Sequence, residues 1–183
     1  MTDLTPITAF GAQTPRRATY GAITLTEECD LGLASLALRK GQEAPTVFGI
    51  SLPAVGKLAQ SGGTSAFWSA PDQWMIMGAG HGNSDFATMV QTEAPNASVT
   101  EQTDGFATIT VGAGAAQLER MLSKLVNLPL AAIGAGCATR TGLQHMTVFL
   151  VRPSETALHV LVPRSYAGSL WHALETAAHR ANH

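Results

Sequence analysis

The sequence predicts an α+β fold made of two duplicated ferredoxin-like β-α-β-β-α units that share one core. The first observation behind this is a repeat. The two halves carry the same order of apolar segments about 75 residues apart, and such a period decides the fold before any motif is read. The second is composition. With 183 residues, 45% of them hydrophobic, the chain can bury a sizeable interior in one body.

Taken in order, residues 1–30 read as an N-terminal arm, 31–96 as a first lobe and 97–183 as a second. Pro6, Gly11, Pro15 and Gly21 punctuate the arm, and only Ala22–Thr26 alternates like a strand. Leu33–Arg39 reads as the first lobe's opening strand. Val47–Val55 is apolar but holds Gly49 and Pro53, both poor inside a helix, so irregular turns are expected there. Ala66–Met77 is a hairpin whose turn is Pro71-Asp72. A helix follows over about 84–92, with Ser84 as its cap and Phe86, Met89 and Val90 on one face. Pro95-Asn96 breaks both helix and strand patterns and marks the joint between the lobes.

The second lobe repeats the scheme. Phe106–Val111 is a strand. Ala115–Leu125 is a helix in which Leu118, Met121, Leu122 and Leu125 share one face. Met146–Val151 and Leu158–Val162 are strands divided by Pro153–Thr156. A last helix runs over about 165–178, capped by Ser165, with Tyr166, Leu170 and Leu174 on a stripe beside Ala173 and Ala177.

Charge and compartment signals exclude several classes. Only 13% of residues are charged, against a usual level of about 25%. A surface so short of charge points to contact with another protein. The net charge is −2 and no basic stripe exists, which argues against nucleic acid. The start, Met1–Pro6, has neither a basic n-region nor an apolar h-region, and no apolar run approaches the ~20 residues of a membrane helix. Cys29 and Cys137 form no disulfide framework, so a cytoplasmic protein with two free thiols is expected.

The candidate chemical motifs are incomplete. Gly112-Ala113-Gly114 stands between a strand and a helix, but Gln117 occupies the place of the third fingerprint glycine, and Cys137 and Ala138 stand where an acidic residue is needed. Gly78–Gly82 reads as a loop, and no phosphate-binding GxxxxGK[ST] run occurs. Histidines at 81, 145, 159, 172, 179 and 183 make no metal-ligand spacing; His145 and His159 read as structural residues of apolar strands and His172 as a surface residue. Cys137 with His145 is the one nucleophile–base pair to weigh, with Arg140 close in sequence, yet Ile133–Thr139 reads as a packed loop. Asp104-Gly105 reads as a turn, and Arg140 as a partner for an internal carboxylate. No catalytic, cofactor-binding or metal-binding residue is assigned.

Four segments, in register over nearly the whole chain, carry a resemblance. They are Leu4–Ile7 before a glycine, Trp68–Met75, Val99–Phe106 with Arg140-Thr141, and Val162–Leu174. Together they resemble the γ subunit of heterotetrameric sarcosine oxidase. The resemblance implies a fold similar to the folate-binding domain of the glycine-cleavage aminomethyltransferase. It also implies an accessory role without catalytic residues, beside α, β and δ partner subunits that carry FAD, FMN, NAD and the tetrahydrofolate site. Those partners would oxidise the N-methyl group of sarcosine to give glycine, hydrogen peroxide and 5,10-methylenetetrahydrofolate. Two readings compete with it. One is a stand-alone folate-binding protein, marked by a carboxylate in a deep pocket, for which Glu101 and Asp104 are the nearest candidates. The other is an unrelated small enzyme using Cys137 or His145.

Overall fold

The computed structural model describes residues 5–182; Leu4 of the first resemblance segment and His183 lie outside the described residues. After a loop, the chain forms a hairpin of β1 (Arg17–Tyr20) and β2 (Ile23–Glu28), then β3 (Leu31–Ala37). A minimal hairpin of β4 (Thr46–Val47) and β5 (Ile50–Ser51) leads into a meander of β6 (Leu58–Ser61), β7 (Thr64–Ala70) and β8 (Gln73–Ala79). Helix α1 (Phe86–Glu93) and β9 (Ser98–Glu101) follow. The remainder runs β10 (Phe106–Gly112), α2 (Ala115–Leu125), the meander β11 (Cys137–Leu143), β12 (Met146–Ser154) and β13 (Ala157–Pro163), and α3 (Ala167–Ala181).

These strands make an α+β body with two large sheets, ordered β1-β2-β10-β13-β12-β11 and β6-β7-β8-β3-β9. The sheets are cross-linked by an exchange. Strand β2 runs into β3 along the chain but pairs with β10, while β9 runs into β10 but pairs with β3. Glu27 lies opposite Ile109 in one sheet and Glu101 opposite Ala34 in the other, so the two glutamates hold like positions.

Side-chain alternation then builds four layers. Val160 and Val162 of β13 face α2 and α3, where Leu118, Met121, Leu122, Leu170 and Leu174 complete one core. Ala34 and Leu36 of β3 face α1 through Phe86 and Val90. The opposite faces meet in a third core, where Leu33, Phe67, Met75 and Met77 of one sheet pack on Phe149, Val151 and Leu161 of the other. Strands buried on both faces read as near-continuous apolar runs, which is why β8, β12 and β13 stand out in the sequence.

Several expectations need correction. A ferredoxin-like split unit requires a parallel pair of strands, whereas every ladder among the described residues is antiparallel. The second lobe has three strands after its helix, because Cys137–Leu143 is a strand and not a loop. The first lobe has no helix opposite α2. The irregular turns expected over Val47–Val55 are present instead: Phe48 and Gly49 both take positive φ, 50° and 76°, and close a two-residue hairpin. The arm is irregular only to Arg16; β2 supplies Ile23 and Leu25, both fully buried, to the core.

Helix ends differ from expectation as well. Asp85, not Ser84, caps α1 by accepting from the Thr88 amide, the third of the helix, at 3.0 Å, while the Ser84 hydroxyl donates back to the His81 carbonyl. Ser165 lies inside a 3-10 turn that precedes α3, and Tyr166 is half exposed beside the buried Leu170 and Leu174. The α2 face agrees in three of its four residues: Leu118, Met121 and Leu122 are fully buried and Leu125 is half-buried at the edge of that core, whereas Met89 on the expected α1 face is exposed. Leu122→Ala is expected to cost about 2–5 kcal/mol through lost burial and cavity formation. An unchanged urea midpoint would place that face outside the core.

Candidate functional site

The strand exchange creates a crossing, and a cleft of about 320 Å³ lies beside it. The turn from β2 to β3 and the 3-10 turn Thr103–Gly105 before β10 are stitched together there. Leu33 N–H donates to Thr103 Oγ1 at 2.9 Å, and Gln102 N–H donates to the Leu33 carbonyl at 2.8 Å. The loop after β8 closes a third side, with Gly80 N–H donating to the Asp30 carbonyl at 2.8 Å. Gly82 is needed here because a Cβ would collide with the Cys29 carbonyl.

Residues of the N-terminal arm form the remaining wall. Glu27, 3% exposed, accepts from the amides of Ala9 at 2.8 Å and Arg16 at 3.0 Å. Arg164, at the approach to α3, donates to the Ile7 carbonyl at 2.9 Å and pairs with Asp104 at 3.5 Å. The arm therefore clasps the second half of the same chain.

Carboxylates outnumber cations along this cleft, where Glu27, Glu28 and Asp104 face the single charge of Arg164. Burial and then the Glu27 and Glu28 charges push the Cys29 thiol up to about 11. Its thiolate fraction at neutral pH is about a hundredfold below that of an ordinary thiol. Cys29 is thus a poor nucleophile although it is exposed.

The two carboxylates singled out from the sequence behave differently. Asp104 stands at the cleft rim, almost fully exposed and paired with Arg164. Glu101 is turned to α1 and accepts from the Ala87 amide at 2.9 Å, the Thr103 amide at 3.1 Å and the Thr103 hydroxyl at 2.5 Å. Burial pushes its pKa up, but the Thr103, Ala87 and Gln102 donors outweigh that and hold it below the ordinary value.

Other sequence candidates are not brought together. Cys137 and His145 sit at opposite ends of the β11–β12 hairpin, about 20 Å apart at the usual rise per residue. Cys137 is buried with its thiol toward the Ala131 carbonyl, and His145 is exposed in the turn. Arg140 lies over the Phe149 ring at 6.0 Å and not against a carboxylate. Gly112 and Gly114 have open space where a Cβ would stand, so packing within the described residues requires a glycine at neither position. Gly78 serves packing, since a Cβ there would strike the Phe86 ring. Among the described residues no group of His, Cys, Asp and Glu converges as a metal site. No helix among them is long and apolar enough to cross a membrane.

His159 contacts Thr110 Oγ1 through Nδ1 at 2.7 Å. Burial lowers its pKa, partly opposed by Glu28. The unfolded chain then binds more protons than the native one as pH falls, so stability is intact above about 6.5 and declines below it. His159→Gln is expected to flatten that decline in melting temperature between about pH 7 and 5. Parallel profiles for variant and parent would remove the assignment.

No family model matches the chain, and no curated protein matches it either. Solved structures do. A chain of heterotetrameric sarcosine oxidase from Corynebacterium sp. U-96 is 23% identical, with a TM-score of 0.72 over 91% of this chain and 88% of that one. Aminomethyltransferase T of the glycine cleavage system from Bartonella henselae is 14% identical, with a TM-score of 0.57 over 82% of this chain. This chain spans 44% of the aminomethyltransferase. The fold is shared with both proteins.

Proposed function

We propose that this chain is the accessory γ subunit of a heterotetrameric sarcosine-oxidase-type complex in the cytoplasm. It contributes no catalytic residue and no cofactor. Its α, β and δ partners hold FAD, FMN, NAD and tetrahydrofolate, and convert sarcosine to glycine, hydrogen peroxide and 5,10-methylenetetrahydrofolate. One observation carries this reading: the similarity to a sarcosine oxidase chain extends over almost the full length of both chains, so the matched chain is of similar size to this one.

The surface supports it. Ile7, Val55, Leu130 and Tyr166 are large apolar residues left exposed in a chain where only 13% of residues are charged. Permanent subunit contacts are depleted in charge and resemble a divided core. The common strand order of the two sheets further supports descent of the halves from one duplicated unit.

Co-expression with flavin-binding oxidase chains tests the proposal. A complex should co-elute from gel filtration in moderate salt, because apolar contacts are not screened as surface ion pairs are. The chain purified alone should be colourless and oxidise no sarcosine. Failure to co-elute at any salt concentration would remove the reading, and a flavin spectrum in the lone chain would replace it with a catalytic one.

A further inference from the structure

We infer that residues 6–16 form a strap that is the movable wall of the cleft, with the buried carboxylate of Glu27 as its latch. The strap starts at Pro6, with Ile7, Thr8 and Ala9 along the cleft, and returns through Gln13 and Pro15 to Arg16. Both ends meet on one residue. The Glu27 carboxylate receives the Ala9 and Arg16 amides, and the Glu27 amide donates to the Arg16 carbonyl at 2.8 Å. A compact surface loop with its ends drawn together is thereby tied to strand β2 at a single point.

The remaining ties are few and lie outside the sheets. Arg164 holds the Ile7 carbonyl. The Arg16 guanidinium rests 4.4 Å from the centre of the Trp171 ring, and Phe10 meets that ring edge-on at 5.5 Å. Within the strap Thr8 is buried, Ala9 and Phe10 are half-buried against the α2–α3 core, and residues 11–16 are all exposed. Segments with little apolar burial and little share in a ladder open independently of the global fold. Lifting the strap breaks a single rung at the end of the β1–β2 ladder, the Glu27 amide to the Arg16 carbonyl, and it returns the Glu27 carboxylate to water, which offsets part of the hydrogen bonding lost. Its departure would widen the cleft and uncover Glu27 beside Glu28.

The full-length chain provides the test through amide exchange and trypsin, which must draw Arg16 off Trp171 to cut after it. The Ala9 and Arg16 amides should exchange faster than those of Ile109 and Val160. Glu27→Gln places an amide NH₂ against a backbone donor, and cleavage after Arg16 should accelerate about tenfold, the factor expected for one lost charge-assisted hydrogen bond, while the melting temperature falls only by the few degrees that such a loss carries. Strap amides that exchange no faster than the core, or an unaltered cleavage rate, would overturn the inference. If Glu27→Gln fails to fold, Arg164→Met decides. Faster cutting after Arg16 with a melting temperature lowered by no more than a few degrees supports the strap, and an unchanged rate rejects it.

Discussion

Trp171→Ala is expected to destabilise the protein by about 3–5 kcal/mol, the range for deleting a large buried aromatic ring. Trp171 is 1% exposed and heads the fully buried side chains by volume. It stands on α3 with the α2–α3 core on one side and Phe10 and Arg16 on the other. Alanine would leave a cavity that neither the helix nor the sheet can collapse to fill, since both are fixed by their own ladders. The cation–π contact adds about 0.5–2 kcal/mol to the loss. Trp171→Phe separates these contributions. It keeps a ring for Phe10 and most of the buried volume, so it should cost less than half as much. Urea midpoints measure both, and cleavage after Arg16 should quicken in the alanine variant more than in the phenylalanine one. A loss below about 1 kcal/mol for Trp171→Ala would show that the ring is peripheral.

The central strands were legible in the sequence, and the edges were not. Met75 and Met77 face one core while Trp74 and Ile76 face another, so β8 is apolar at successive positions and announces itself. Edge strands carry no such signal. Cys137–Leu143 alternates between buried and open positions with Arg140 and Gly142 outward, and Ser98–Glu101 has no fully buried residue at all. Their place in the fold comes from a neighbour's unpaired backbone, which local composition does not encode. The exchange was hidden for a related reason. Ile23 and Leu25 mark a strand, but nothing in them says that its partner is Thr110 and Val111, more than eighty residues on.

The cleft was harder still, because Thr8, Glu27, Asn83, Thr103 and Arg164 meet only through that crossing. One signal was available. Glu27 falls on the same face of β2 as Ile23 and Leu25, and a glutamate at a core-facing strand position needs a partner. Of the two carboxylates weighed from the sequence, Asp104 lines the cleft, whereas Glu101 meets the demand of α1 for an acceptor at its first turn, which local sequence does not show.

Arg152→Ala should be nearly as damaging, at about 3–5 kcal/mol, although its carboxylate partners alone do not justify that figure. The Arg152 side chain is 2% exposed, while those of Glu119 and Glu155 are 42% and 66% exposed at 3.9 and 3.2 Å. Both glutamates would return to water, so little energy is stranded on them. The backbone decides the outcome. Arg152 donates to the Ile133 carbonyl at 3.2 Å and the Glu155 carbonyl at 3.1 Å, and its stem fills buried volume. Alanine loses the tethers and the volume together, whereas Arg152→Met keeps the volume and should cost about 1–3 kcal/mol. The methionine variant has a functional use. It frees the segment 130–136, which carries the exposed Leu130, while the sheets stay intact. Amide exchange should then rise across 130–136 alone. If that segment contributes to the proposed subunit contact, co-elution with the flavin-binding chains should weaken at unchanged circular dichroism. Arg152→Met with parental stability and exchange would show that the buried guanidinium tethers nothing.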